Sequence, residues 1–280
     1  MSHFQIQKLE TYFDEINSPN KAYLLGLLFA DGCNTRKGFS VTFHEQDDYA
    51  LDWFISEIVI GNRKPKINKY KDVKASTLHL VSRKLSDALT KAGCIPNKSQ
   101  IEAPAPDLEE SLWPHFIRGV FDGDGSSTLS KRFNSITISI LGGELLLNRI
   151  KGMFEAKGIF CNIYKTSSKH CHEIKLAERA SVKRFAKWIY SDAEFFFKRK
   201  REAIESFCAK LPPEKIQTKG VGYCAHRKKW YATIWRNKKT VNLGRFETKE
   251  EAYAARIKYE QDNSITRRHR HNLNIGDSKV

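Results

Sequence analysis

Apolar and polar positions fall into a recurring order along this chain. Residues 23–29 and 116–121 are apolar on almost every side, the pattern of helices buried all round. Ser18 with Pro19 reads as an N-cap and first-turn proline for the first helix, and Ser111 with Pro114 as a comparable start for the second. Beyond the first run, Phe39, Val41 and Phe43 alternate with Ser40, Thr42 and His44, which predicts a strand over residues 37–44. Asp47 or Asp48 caps a following helix with Leu51, Phe54, Ile55 and Ile58 on one side, closed by Gly61. A basic stretch at 63–74, a strand at 76–81 and a helix from Ser82 bearing Leu85, Ala88 and Leu89 complete the set.

The same order returns after the second run. Ile136, Ile138 and Ile140 alternate along a strand, and Leu146, Leu147, Ile150, Met153 and Phe154 mark a helix that stops at Gly158. Strands follow at 160–165 and 172–176, and Ser181 opens a helix with Val182, Phe185, Trp188 and Ile189. The chain reads as a tandem repeat of helix, strands, helix, strands, helix.

The two buried runs also share a frame. Residues 24–32 carry Gly26, Asp31 and Gly32, and residues 117–125 carry Gly119, Asp124 and Gly125, each 93 positions on. A glycine inside an exposed helix costs about 1 kcal/mol against alanine, so Gly26 and Gly119 are expected where two backbones touch. Gly32 and Gly125 are expected to end their helices in a left-handed residue. Asp31 and Asp124 then meet at two helix C-termini. There a carboxylate opposes the dipole by roughly 0.3–1 kcal/mol, and each raises the other's pKa. A divalent cation relieves both effects. Mg²⁺, held by one or two carboxylates plus phosphate oxygens and water, suits phosphodiester hydrolysis. A lone Asp-Gly would read as an ordinary helix end at the surface; recurrence of the whole frame argues against that.

Composition narrows the partner. With 280 residues, 40% of them hydrophobic, the chain can bury the cores of two domains, and a formal charge of +16 points to a polyanion. The basic residues are spread over strands and loops rather than along one amphipathic helix, which disfavours a membrane surface. No apolar run has the length of a membrane span, and the N-terminus lacks a signal-sequence pattern. The six cysteines show no paired spacing, and His170-Cys171-His172 has no second ligand pair for zinc. Reduced thiols fit an intracellular, soluble protein of the cytoplasm or nucleoid, of an organelle, or encoded by a phage or virus.

The paired frame resembles the LAGLIDADG homing endonucleases, in the form where one chain carries both motifs. That resemblance implies an α+β fold of two pseudo-symmetric αββαββα halves, residues 1–105 and 106–208, whose sheets form a saddle over double-stranded DNA. It implies Asp31 and Asp124 as catalytic metal ligands with the Ala30 and Gly123 carbonyls, and Mg²⁺ as the ion. Mn²⁺ is expected to substitute, and Ca²⁺ to bind without supporting cleavage. Lys98 and Lys200 are the catalytic basic residues taken from the stretches that close each half, although backbone contact with DNA explains them equally well. The candidate DNA readers are Asn34, Arg36, Lys37, Ser40, Thr42, Lys66, Asn68 and Tyr70 in the first half. Those in the second are Ser127, Lys131, Arg132, Asn134, Thr137, Ser139, Asn162 and Lys165.

Paired prolines at Pro212 and Pro213 mark a linker at 209–218. Residues 219–263 then resemble the plant ethylene-response-factor (Apetala-type) DNA-binding domain, a three-stranded sheet packed on one helix. Thr248 with Glu251 fits a capping box for that helix. Alternation turns Trp230, Ala232, Ile234, Val241 and Leu243 to the helix. Lys229, Tyr231, Thr233, Trp235, Thr240 and Asn242 face the other way. The plant pattern has several arginines on that face and this chain does not, which puts sequence reading in doubt. Arg227, Lys229, Arg236 and Lys238 remain candidates for phosphate, with Tyr231, Thr233 and Trp235 beside them. The tail at 264–280 is basic around Arg267, Arg268 and Arg270.

These readings converge on a monomeric, site-specific homing endonuclease that makes a staggered double-strand break. No host protein flanks the motifs, which favours a free-standing intron-homing enzyme over an intein. Two alternatives use the same fold: a maturase that binds intron RNA, and a DNA-binding regulator that does not cut.

Overall fold

The computed structural model describes residues 9–61, 64–98, 100–130, 135–209, 220–236 and 239–263. They belong to two compact units, residues 1–211 and 212–280. The first unit contains the repeat. Its first half runs α1 (Pro19–Asp31), β1 (Gly32–Thr35), β2 (Gly38–His44), α2 (Tyr49–Ile58), β3 (Ile67–Tyr70), β4 (Ala75–Val81), α3 (Arg83–Lys91). The second half runs α4 (Trp113–Asp124), β5 (Gly125–Ser130), β6 (Ser135–Gly142), α5 (Glu144–Ala156), β7 (Asn162–Lys165), β8 (His172–Leu176), α6 (Arg179–Tyr190). A further helix, α7 (Lys198–Ala209), follows and was not legible in the pattern. Both sheets are antiparallel and share one order, β1-β2-β4-β3 and β5-β6-β8-β7. This is the expected αββαββα pair.

One hydrophobic core serves both halves, and α1 and α4 run through it. Leu24, Leu25, Leu27 and Leu28 are buried on α1, as are Phe116, Ile117, Val120 and Phe121 on α4. The helices touch at their glycines. A Cβ on Gly26 would lie 2.2 Å from the Phe116 carbonyl oxygen, and one on Gly119 would lie 2.2 Å from that of Tyr23. The obstructing atoms are backbone, so no rotamer change relieves the clash.

Local details depart from expectation in instructive ways. Ser18 caps α1 through the Lys21 N–H, with Pro19 in the first turn. Ser111, by contrast, lies in a 3-10 turn before α4, and Leu112 occupies the cap without a side-chain bond. Gly32 and Gly125 are extended, at φ −84° and −85°, rather than left-handed. Their requirement is space: a Cβ at Gly32 would strike Leu28, and one at Gly125 would strike Phe121. The strand therefore leaves each helix at once, folded tightly back against its last turn.

The second unit contains β9 (Val221–Cys224), β10 (Lys229–Arg236), β11 (Lys239–Phe246) and α8 (Lys249–Asp262), with sheet order β11-β10-β9. Val221, Ala232 and Ala252 form its buried centre, with Trp230, Leu243, Phe246 and Tyr253 packed around them. The capping box is made in both directions: the Glu251 N–H donates to Thr248 Oγ1, and the Thr248 N–H donates to Glu251 Oε2. The linker apart from Ala209, and the tail at 264–280, lie outside the described residues.

Replacing Gly26 or Gly119 with alanine should destabilise the first unit by about 2 kcal/mol, overpacking outweighing the gain in helix propensity. Urea unfolding measures this, and an unchanged midpoint would contradict the backbone contact.

Candidate catalytic centre and nucleic-acid interface

Because α1 and α4 cross at their glycines, their C-terminal ends arrive together. Ala30 faces Gly123, where a Cβ would lie 2.3 Å from Ala30 Cβ and 3.0 Å from Asp31 Oδ2. The Asp31 carboxylate thus rests against the residue that precedes Asp124. Burial, then the neighbouring Asp124, pushes Asp31 up to about 7, against the pull of Lys200 and Lys98. Asp124 opens to solvent on one side, yet shielding by the surrounding helix ends raises it as well; Lys98 and Lys200 oppose the shift.

Both lysines chosen from the sequence reach this place. Lys98 Nζ donates to the Ala30 carbonyl at 2.9 Å. Lys200, buried at the start of α7, lies within 2.6–3.0 Å of the carbonyls of Phe121, Asp122, Gly123 and Gly125. It acts as a C-cap supplied from another helix, binding the Asp122 and Gly123 carbonyls of the last turn of α4, sharing the Phe121 carbonyl with the Gly125 N–H, and countering the negative end of the dipole. Sequence reasoning had assigned Lys200 only a catalytic or DNA-contact role and missed the cap. Removal from water lowers its pKa to about 8, with Asp122 the chief opposing influence.

A second polar cluster lies under the pair. Asp122 is fully buried; its Oδ2 accepts from the Tyr23 hydroxyl at 2.8 Å and from the Phe197 N–H at 2.9 Å. Arg118, also buried, donates to the carbonyls of Phe195 and Ile189 and lies over the Tyr23 ring. Arg199 on α7 pairs with buried Asp47 of the first half at 2.8 Å. None of these partners stands close in sequence, and no periodicity signals them.

The pairing register decides which strand residues face the open side of each sheet. In the first half, Ser40, Thr42, Asn68 and Tyr70 share that side with Cys33, Thr35, Thr77 and His79. Arg36 and Lys37 form the exposed turn between β1 and β2, and Lys66 is exposed just before β3. Asn34 does not belong with them. It pairs with buried Phe39, is itself buried, and its Nδ2 meets the Ser86 carbonyl, Thr90 Oγ1 and the Cys94 carbonyl. Its role is to tie β1 to α3 and the turn beyond.

In the second half, Thr137, Ser139 and Asn162 lie on the open side with Ser126, Thr128, Tyr164 and Lys175. Ser139 is covered there, bonded to Ser126 across the strands. Ser127 is paired with core residue Ile138, and Lys165 with buried His172, so both belong to the helix side. A one-residue offset reverses the face of a strand residue. The motif glycines carry the missed signal: Gly32 and Gly125 point inward, so residues 33, 35, 126 and 128 must point outward. Lys131, Arg132 and Asn134 lie outside the described residues.

The second unit keeps the predicted alternation. Lys229, Tyr231 and Trp235 are exposed on the side away from α8, Trp235 to 70%, while Thr233 is half-buried and bonded to the Gly220 carbonyl. Tyr231 lies over Gly222, where a Cβ would be 2.5 Å from its hydroxyl. Arg227 is exposed, Lys229 is paired with Glu247, and Arg236 is bonded to Asn263. Lys238 is outside the described residues.

Residues 115–190 match the family model of the LAGLIDADG-like domain. That span covers the second half from the first turn of α4 to the end of α6. No curated protein matches the chain. Solved structures that resemble it include the I-SmaMI LAGLIDADG homing endonuclease bound to cleaved DNA. It is 13% identical, at a TM-score of 0.46, with 69% of this chain and 88% of that one covered. The I-LtrWI LAGLIDADG homing endonuclease bound to target DNA is 9% identical, at 0.45, with 71% and 89% covered. I-SmaMI bound to an uncleaved DNA target with calcium ions is 12% identical, at 0.47, with 69% and 90% covered.

Among the described residues no three His, Cys, Asp or Glu side chains converge as a metal cluster, and no helix is long and apolar enough to cross a membrane. A cation between the adjoining ends of α1 and α4 would therefore draw on two carboxylates together with peptide and substrate oxygens. A carbonyl oxygen has two lone pairs, so the lysine bonds to Ala30 and Gly123 leave acceptor capacity. The all-oxygen donor set and the mutual repulsion of the acids fit Mg²⁺ or Ca²⁺.

The raised Asp31 makes stability depend on pH. Between about pH 4 and 7 the folded chain holds a proton there that the unfolded chain has released, so this contribution to stability falls as pH rises through the window and levels off above it. Asp31→Asn should melt higher than the native chain at about pH 8 in metal-free buffer, with the gain shrinking towards about pH 4. A variant no more stable than the native chain at the higher pH would contradict the assignment.

Proposed function

We propose that the chain is a site-specific DNA endonuclease of the homing type, making a staggered double-strand break by metal-assisted phosphodiester hydrolysis. The observation that carries this reading is the meeting of Asp31 and Asp124, with Lys98 and Lys200 beside them, at adjoining ends of the paired helices. Mg²⁺, when bound, activates water and neutralises charge on the phosphate; Mn²⁺ substitutes, and Ca²⁺ binds without supporting cleavage.

The chain's own groups do the rest. Asp31 and Asp124 would hold the ions between the halves, with the Ala30 and Gly123 carbonyls as further oxygen ligands. Lys98 and Lys200 present positive charge towards the scissile phosphates, where negative charge develops. The open sheet sides, each ending at one of the acids, lie along duplex DNA. Arg36, Lys37, Ser40, Thr42, Lys66, Asn68 and Tyr70 read one half-site, and Thr137 and Asn162 the other. The net charge of +16 supports a polyanionic partner. With both halves, 1–105 and 106–208, in one chain, the active form is a monomer. Residues 219–263, resembling the ethylene-response-factor domain, hold a second stretch of DNA through Arg227, Lys229, Tyr231, Trp235 and Arg236 and raise affinity by tethering.

Plasmid libraries carrying candidate insertion sites, incubated with and without Mg²⁺, test the reading. The native chain should linearise a subset only when the metal is present. Asp31→Asn and Asp124→Asn should each abolish double-strand cleavage while DNA affinity changes by less than about tenfold. Retained cutting in both would remove the metal assignment. Binding of intron RNA without DNA cleavage would favour the maturase, and DNA binding without cleavage the regulator. Deleting residues after Leu211 should weaken binding and flatten its salt dependence without eliminating chemistry.

A further inference from the structure

The molecule contains its own control for one buried acid. Phe29 stands in the first motif where Asp122 stands in the second, 93 residues on. Phe29 packs edge-on against Phe116, at 5.1 Å between ring centres. The motif therefore folds with a hydrocarbon at this position. In the second half the same position carries a fully buried carboxylate, whose Oδ1 has no hydrogen bond among the described residues. Such a group costs stability unless it holds something in place.

What it holds is the start of α7. Asp122 Oδ2 accepts from the N–H of Phe197, the residue immediately before the helix, and from the hydroxyl of Tyr23 on α1. The next N–H, that of Lys198, donates to the hydroxyl of Tyr49 from the first half at 2.8 Å. The Phe197 ring packs on Phe43 and Tyr49. Three residues after Phe197, in the first turn, Lys200 extends to the four carbonyls at the end of α4. Lys98 is mounted differently among the described residues: it lies in the turn after α3 and donates to one carbonyl, that of Ala30.

We infer that Asp122 is a positioning residue, whose carboxylate sets the start of α7 and so fixes Lys200 against the Asp124 end of the paired helices, leaving the two half-sites unequally pre-organised. Its consequence for strand cleavage rests on the endonuclease reading. Misplacement of a group by about 1 Å can cost on the order of a hundredfold in rate. Loss of Asp122 should therefore fall on the one strand that Lys200 serves.

The test follows each strand separately on supercoiled target plasmid in Mg²⁺, with Asp122→Ala and the milder Tyr23→Phe, which removes one of the two bonds and keeps the ring. Both should accumulate nicked circles, and the intact strand should be the one left intact by Lys200→Ala. That strand should slow by about tenfold or more in Asp122→Ala and the other by less than about twofold. Equal slowing of both strands, no slowing, or the opposite strand intact would overturn the inference. A second readout needs no cleavage. Amide hydrogen exchange of the full chain without DNA should quicken at residues 197–201 in both variants, and unchanged exchange there would also overturn it. If the native chain cuts nothing, the endonuclease reading fails, and the exchange result alone decides the role of Asp122.

Discussion

The contact between two glycines in two crossing helices governs the rest of the first unit. Helices normally pack with axes roughly 8–10 Å apart because side chains fill the space between them. At Gly26 and Gly119 nothing fills it, and each backbone lies where the other's Cβ would be. The large apolar residues on the remaining sides of α1 and α4 are consequently free to serve two sheets, one on each flank. The close approach also fixes what stands at the far ends of the helices. Ala30 meets Gly123 there, and any larger residue at 123 would push Asp31 away from Asp124.

Bringing two helix C-termini together concentrates negative charge. Free carbonyls and two aspartates share one small region, and burial withholds the water that would screen them. The structure answers with cations from two different places in the fold. Lys98 comes from the turn that follows α3, and Lys200 from a helix added beyond the repeat. The compensation is unequal, since among the described residues one ammonium faces a single carbonyl and the other meets four. A site that needs positive charge in order to fold is also one where a divalent ion gains on entering.

What could be read from the sequence follows from the range of each interaction. Burial on all sides, alternation along strands and the spacing of Gly26, Gly119, Asp31 and Asp124 are local or repeated, and they predicted both halves and the meeting of the acids. Errors arose where geometry at one residue decides the outcome. Gly32 and Gly125 were expected to turn left-handed, yet they are extended and exist to clear Leu28 and Phe121. Asn34, Ser127 and Lys165 look like surface polar residues, but pairing with Phe39, Ile138 and His172 turns them to the helix side. The bonds from Asp122 to Tyr23 and Phe197, and from Arg199 to Asp47, join positions 75 to 152 residues apart. No window along the chain contains them.

Those long-range bonds also explain how a duplicated fold becomes one body. The glycine contact alone would leave two halves touching along one helix pair. The segment before α7 and the first turn of that helix close the seam: Phe195 stacks on Trp53 of α2 at 4.2 Å, Phe197 packs on Phe43 of β2, and Arg199 reaches Asp47. Every one of these partners belongs to the first half, whereas the segment follows the last helix of the second. A symmetric pair of copies would need two such straps, one from each. Here the chain leaves the second half once and crosses back once. The asymmetry at Lys98 and Lys200 follows from that single crossing, because of these two lysines Lys200 alone is mounted on the strap that binds the halves together.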